Sequence, residues 1–352
     1  MLKCFSAWHV LHYAGLQREE TESVLFVDLL EERETGQEHA LGTAHPVMER
    51  LLQSTGKTIN LNATVSTFFY SALLPETVAA GPAPAPTEEL VHPPVLLQDT
   101  GNQQLLAELL AAERPAFVLL NPLETGYPGQ LLHETLLQSS ADLCLLFTAA
   151  NLKQALGKGK AGKPLQDFIG EASFAAVKEF FRKEKSQPKR EDFLLPAFEK
   201  VLSEKGFRPL PFRVGLPDSG LTSHYLVFAS KSRAVYKKIK ELLLPYTDYQ
   251  ADGVPVFGTN QHHQQQLLLF PELNRFSLLN LMQDLLTKAS VYNYKSIDKI
   301  ADDHSLATPY IAENYQQAFE KLRDQGKVQI INNRTMQPVK KSTQASLIKF
   351  IS

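Results

Sequence analysis

Short, almost unbroken apolar runs, separated by amphipathic segments of helix length, constrain this chain more than any other feature. Val24-Leu25-Phe26-Val27-Asp28-Leu29-Leu30, Ala116-Phe117-Val118-Leu119-Leu120 and Leu143 to Thr148 lack the polar alternation of a half-exposed strand. Strands of that kind are buried on both faces, as in the interior of a parallel sheet with helices above and below. Ile59 to Val65 and Val95-Leu96-Leu97 predict two further strands, and His224 to Ser230 a late one. Helical spacing fills the intervals. It is found over residues 3–16, over Ala44 to Gln53, through Leu105, Leu106, Leu109 and Leu110, over 129–138, and over Ala234 to Leu244. Alternating strands and helices give an α/β domain with a largely parallel, Rossmann-like sheet. Ligands of such sheets sit at the carboxyl ends of the strands. Chemistry is therefore expected from Asp28 onward and from Asn121 onward.

The rest of the chain reads differently. Residues 153–213 are Lys-rich and mostly helical, with Phe168, Phe174, Phe180, Phe181, Phe193 and Phe198 to bury. Residues 245–270 form a long irregular connection. Beyond it, Leu278, Leu281, Met282, Leu285 and Leu286 make one helical stripe. Ser296 is placed to cap a short second helix. Thr308-Pro309 supplies an N-cap and a first-turn proline for a third helix, which Gly326 stops. Lys327 to Ile331, the turn Asn332-Asn333, and a returning strand from Thr335 to Val339 complete three helices and a hairpin, the pattern of a winged helix. The expected division is an α/β domain over 1–245 with a basic helical insertion at about 153–213, a linker at 246–272, and a winged-helix domain at 273–352.

A chain of 352 residues has ample length for two such cores. No stretch approaches the roughly 20 apolar residues of a membrane span. The start, with Trp8, His9 and His12 close behind Lys3, does not read as a signal peptide. Two cysteines make neither a disulfide framework nor a zinc cage, and Cys144 reads as a core thiol. A reducing cytoplasm is the expected compartment. Net charge is −2, unevenly spread. Residues 1–152 hold 6 Lys and Arg against 18 Asp and Glu, residues 153–240 hold 19 against 9, and residues 241–352 hold 11 against 11. The middle third either faces phosphate or an acidic protein, or offsets the acidic third within one molecule.

Five constellations could carry chemistry. A nucleotide-type cofactor needs glycines after the first strand, so that backbone N–H groups can come close. Asp28 stands where an acid is wanted, but Leu29, Leu30, Glu31, Glu32, Arg33 and Glu34 precede Gly36. Asn121-Pro122-Leu123-Glu124 follows a strand as an amine-accepting turn would, with Tyr127 the nearest aromatic. Gly157 to Pro164 has the glycine and lysine spacing of a phosphate loop, but Pro164 replaces the hydroxyl residue, and a flexible basic loop is the simpler reading. His262-His263 has no carboxylate or cysteine at ligand spacing, so no metal site is expected. In the winged-helix segment, Tyr310, Glu313, Asn314, Gln317, Glu320 and Lys321 are expected to face outward from the third helix, with Arg334, Lys340 and Lys341 on the wing. Phosphate contacts are expected from Lys158, Lys160, Lys163, Lys183, Lys185, Lys189 and Arg190 in the middle segment and from those three wing residues.

Phe26-Val27-Asp28-Leu29, Asn121-Pro122-Leu123-Glu124, His224 to Lys231, and Ala307-Thr308-Pro309-Tyr310 through Gly326-Lys327-Val328 occur in that order. This series resembles the three-Cys-motif partner protein family. The resemblance implies a methyltransferase-type sheet, an Asp-Pro-Phe-Gly-type turn, a Tyr-x-Leu-x-Phe-Ala-Ser strand and a winged-helix end. It also implies a bacterial source, a neighbouring protein partner and a setting in mobile-element or phage-defence systems. Asp28 matches the family aspartate, Leu30 to Glu34 depart from its glycine turn, and Asn121 and Glu124 replace its aspartate and glycine.

Three functions follow as expectations. The first is a non-catalytic or weakly catalytic scaffold in a nucleic-acid-associated complex, with no cofactor. The second is an S-adenosylmethionine-dependent methyltransferase acting on a nucleic-acid amine, with Asp28 and Gly36 at the cofactor and Asn121 and Pro122 at the amine. The third is a purely protein-binding adaptor.

Overall fold

The computed structural model describes residues 1–14, 23–30, 44–70, 89–97, 100–123, 135–148, 151, 155–156, 162–215, 223–259 and 275–351. The chain divides into two compact units, Met1–Phe212 with Asp218–Leu242, and Arg213–Pro217 with Leu243–Ser352.

The first unit is α/β. Its elements are α1 (Leu2–Ala14), β1 (Val24–Asp28), α2 (Ala44–Gln53), α3 (Leu61–Thr64), β2 (Val65–Phe69), β3 (Val95–Leu96), α4 (Thr100–Ala111), β4 (Ala116–Leu120) and β5 (Asp142–Thr148). There follow α5 (Lys163–Ile169), α6 (Glu171–Lys183), α7 (Gln187–Glu204), β6 (Arg208–Gly215), β7 (Ser223–Ser230) and α8 (Arg233–Leu243). With β8 (Gly258–Thr259), the strands form an eight-stranded sheet in the order β3-β2-β1-β4-β5-β7-β6-β8. β1, β2, β3, β4 and β5 run parallel, and β7 is antiparallel to β5. The sheet is Rossmann-like and mostly parallel.

Every residue of β1 and β4 is buried, as their continuous apolar runs require. Leu25, Val27, Val118, Leu120, Leu143 and Leu145 point into one core, which Leu106 and Leu110 of α4 and Phe168, Val177, Phe198 and Leu202 of α5 to α7 fill. The helices of the basic segment thus belong to the core of the sheet. On the opposite face α1 packs by aromatic contact. The Phe5 ring lies 4.8 Å from Phe26 and 5.6 Å from Phe117, and the Trp8 ring lies 5.6 Å from Phe117. Cys4 and Cys144 are buried free thiols; burial raises both, Cys144 to about 12.

The second unit contains α9 (Leu278–Thr287), α10 (Ala289–Tyr292), α11 (Ile297–His304), α12 (Ala312–Asp324) and the antiparallel pair β9 (Val328–Ile331) and β10 (Leu347–Phe350). Leu281, Leu285, Ile297, Ile300, Tyr315, Phe319, Leu322 and Ile348 close its core, with Val254 from the preceding segment. The interval expected as a linker is described as far as Thr259, and over that part it turns back on itself through Gln250 N–H to Val254 O at 2.9 Å. His304 ties three helices together. Its Nδ1 shares a hydrogen bond of 2.8 Å with the Tyr315 hydroxyl, and its Nε2 lies 3.3 Å from Asp284.

Four local expectations are corrected. The second strand begins at Val65, because Asn60 caps a helical turn at Leu61, its side chain accepting from Ala63 N–H at 3.3 Å. A strand at Arg208–Gly215 lies at the end of the segment read as helical. The third helix of the second unit begins at Ala312, where Asn314 Oδ1 accepts from Ile311 N–H at 3.0 Å, so Thr308-Pro309 precede it. The strand returning to β9 is Leu347–Phe350. Residues 332–339 make a turn with one bridge from Ile331 to Pro338, and a proline without an N–H cannot continue a ladder.

Candidate functional site

β1 and β4 are neighbours in parallel register, with Asp28 opposite Leu119. Asp28 and Asn121 therefore stand at the carboxyl ends of adjacent strands, as the sequence reading requires of a ligand site. Both side chains turn back on their own backbone. Asp28 Oδ1 accepts from Leu30 N–H at 2.9 Å, and Asn121 Oδ1 accepts from Leu123 N–H at 3.0 Å. Asp28 is 4% exposed and Asn121 5%, and Leu29 and Pro122 beside them are also buried. Main-chain N–H groups that would have to face a cofactor are engaged too. Leu29 N–H donates to Leu119 O at 2.8 Å, and Leu30 N–H is held by Asp28. Gly36, Glu124 and Tyr127 lie outside the described residues. At the end of β5, Thr148 Oγ1 bonds Asn151 in the same local way.

The amino edge of the sheet holds a polar cluster that the sequence reading did not single out. Trp8 Nε1 donates to Asp142 Oδ2 at 2.6 Å, and His12 Nε2 approaches the same oxygen at 3.2 Å. Asp142 Oδ1 is buried without a partner. One turn along α1, His9 Nε2 lies 2.8 Å from the Thr64 hydroxyl, which donates to Asn60 O at 2.8 Å. His9 is therefore the donor in their bond, and its buried Nδ1 has no partner. Burial, and secondarily the positive potential of His12, lower the His9 pKa to about 4. Arg114 completes this edge by donating to the Ser23 carbonyl and hydroxyl. The only signal in the sequence is Trp8, His9 and His12 on one helix. Nothing in it points to Asp142 as their partner.

The expected phosphate contacts fall into separate settings. Lys158 and Lys160 lie outside the described residues. Lys163 pairs with Asp167 at 2.6 Å, Lys183 with Glu179 at 3.0 Å, and Lys189 with Glu184 at 3.8 Å. Arg190 serves the fold: it donates to the Glu184 and Phe181 carbonyls and stacks on the Phe181 ring at 5.3 Å. Lys185 is exposed. Elsewhere in the middle third, Lys231 donates to the carbonyls of Leu137, Gln138 and Ser139, at 3.2, 3.0 and 2.7 Å, and caps a helix end.

In the second unit Arg334, Lys340 and Lys341 are all exposed. Asn332 Oδ1 accepts from Arg334 and Thr335 N–H at 2.8 and 3.1 Å, which fixes the turn that presents Arg334. The outward face of α12 differs from expectation. Tyr310 and Asn314 are buried, Tyr310 donating to Ser277 O at 3.1 Å and Asn314 Nδ2 to Gly253 O at 2.9 Å. One flank is tied to the loop after β9: Gln316 donates to Ser342 O at 3.2 Å, Ser342 bonds Glu320, and Arg323 donates to Lys340 O at 2.7 Å. Glu313, Gln317, Lys321 and Asp324 remain exposed, an acidic surplus.

Among the described residues no group of three or more His, Cys, Asp or Glu is placed to hold a metal ion, and no helix is long and apolar enough to cross a membrane. The class defined so far is an α/β protein with a Rossmann-like sheet and a separate helical unit. No family model matches the chain, and no curated protein matches it.

Proposed function

We propose that this chain is a three-Cys-motif-partner-like scaffold: a methyltransferase-type α/β domain without an operating methyl-donor site, joined to a winged-helix module, acting as a nucleic-acid-associated subunit of a complex. The observation that carries the non-catalytic reading is the pair of turns at the carboxyl edge. Asp28 and Asn121, the two side chains a methyltransferase would direct at donor and amine, are each bonded two residues ahead. A donor would have to displace those bonds and fit beside Leu29 and Leu30.

The methyltransferase-type reading is supported by the strand order 3-2-1-4-5-7-6, with β7 antiparallel to β5. The winged-helix reading is supported by three longer helices and the β9–β10 pair, against which Tyr294 and Ile297 N–H donate to Ile348 and Ser346 carbonyls at 2.7 and 3.0 Å. In this reading phosphate is met by the basic loop of Arg334, Lys340 and Lys341 rather than by α12, whose exposed acids repel it.

Anisotropy of a labelled 20-base-pair DNA duplex, titrated with the chain across a salt series, tests the nucleic-acid half. Three phosphate contacts give a slope of log K against log salt of about −2.7, reduced stepwise by Arg334→Gln, Lys340→Gln and Lys341→Gln. Absence of binding at low salt would leave the protein-docking alternative and reject this one.

A further inference from the structure

A cleft of about 300 Å³ opens between α1 and the segment after α2. It lies toward the amino edge of the sheet, at the opposite strand ends from Asp28 and Asn121. Its walls are apolar, formed by Val10, Ile59 and Leu61, and Arg50 and Lys57 stand on its lining with Ser6. Val10 is 38% exposed and Ile59 45%, so apolar surface is left open to water.

The two cations are the informative feature. Residues 1–152 hold only 6 Lys and Arg against 18 acids, and two of those six line this one cleft. Neither side chain has an ion-pair or hydrogen-bond partner among the described residues. Among the described residues no carboxylate lines the cleft, and the nearest acid in sequence, Glu49, accepts from the Gln53 amide at 2.8 Å instead. The Ser54 hydroxyl is already spent, donating to Leu51 O at 2.5 Å. Two like charges over apolar walls, with no counter-charge among the described residues, are satisfied together by a ligand with an anionic head and an apolar body.

The surroundings narrow the class. A polyanion such as nucleic acid would answer the two cations but leave the apolar walls uncovered. A neutral ligand would leave both cations unanswered. The volume is at the lower end of the roughly 300–1,000 Å³ range of small-molecule sites, which limits the ligand to a short chain or a small ring system. We propose that this cleft binds a small organic monoanion of the medium-chain carboxylate class, with the head between Arg50 and Lys57 and the chain against Val10, Ile59 and Leu61. This site is independent of the reading of the carboxyl edge.

The test is calorimetric titration of the full-length chain with octanoate and, in parallel, with octan-1-ol. Octanoate is expected to saturate one site, and octan-1-ol to bind at least about tenfold more weakly. The exposed double variant Arg50→Gln/Lys57→Gln is expected to weaken octanoate by about tenfold or more and to leave octan-1-ol unchanged. Raising the salt should weaken octanoate alone in the unmodified chain, a readout that needs no variant. Equal affinity for acid and alcohol, or octanoate binding that ignores both salt and the double variant, would overturn the proposal. So would failure to saturate by about 10 mM.

Discussion

The two edges of the central sheet are built on different length scales. At the carboxyl edge the polar side chains bond their immediate successors. Asp28 reaches two residues ahead, Asn121 two, and Thr148 three. At the amino edge the bonds join distant parts of the chain. His9 to Thr64 spans 55 residues, Arg114 to Ser23 spans 91, and Trp8 to Asp142 spans 134. A Rossmann-like sheet ordinarily places its ligand at the carboxyl edge and leaves the amino edge to stability. Here the amino edge is the clamp that joins α1 to the sheet, and the carboxyl edge carries a row of local turns. Long-range bonds survive only while the whole fold does.

Perturbing the clamp should therefore cost far more than perturbing the turns. Trp8→Ala removes a fully buried indole packed on Phe5 and Phe117 and takes a donor from Asp142. A loss of about 5 kcal/mol is expected in urea unfolding, enough to unfold a marginal domain. Trp8→Phe keeps most of the packing and loses only the charge-assisted bond, at about 2–3 kcal/mol. If the two variants were equally stable, the Asp142 bond would outweigh packing in holding α1.

Acid should attack the same edge. His9 carries a folded pKa of about 4, below its unfolded value of about 6.5. A depressed value means that the stabilisation is complete above pH 6.5 and is lost as pH falls through 4. Over that window His9 alone should remove on the order of 3 kcal/mol. His9→Gln retains a donor for Thr64 and should flatten this part of the pH profile. Identical profiles for the two proteins would assign acid sensitivity elsewhere, and His304, also lowered chiefly by burial, is the next residue to test.

The carboxyl edge should respond least. Asp28→Ala and Asn121→Ala each release one main-chain N–H, at about 1–2 kcal/mol apiece. A cost above that of Trp8→Phe at either position would reverse the ranking of the two edges.

The same difference decides what the sequence discloses. β1, β4, β5 and β7 were legible because each is an apolar run that only a buried strand explains, and Asp28 and Asn121 followed from their places at two of those strand ends. β6 was hidden because Pro209 and Pro211 flank Leu210, and prolines argue against a strand. β2 was displaced because Ile59 and Leu61 mimic a strand while Asn60 starts a helical turn. Thr308-Pro309 carries the start signal of a helix that Asn314 begins three residues later. Trp8, His9 and His12 could be seen on one helix, but a partner 134 residues away leaves no periodicity to read. The basic middle third was legible as composition only, since neutralisation by Asp167, Glu179 and Glu184 is a matter of which side chains fold beside which.

The most direct measurement is isothermal titration calorimetry of the purified chain with S-adenosylmethionine. Closed turns at Asp28 and Asn121 predict no saturable heat up to about 1 mM donor. Micromolar binding that disappears in Asp28→Ala would contradict the account and restore a working methyl-donor site to the carboxyl edge.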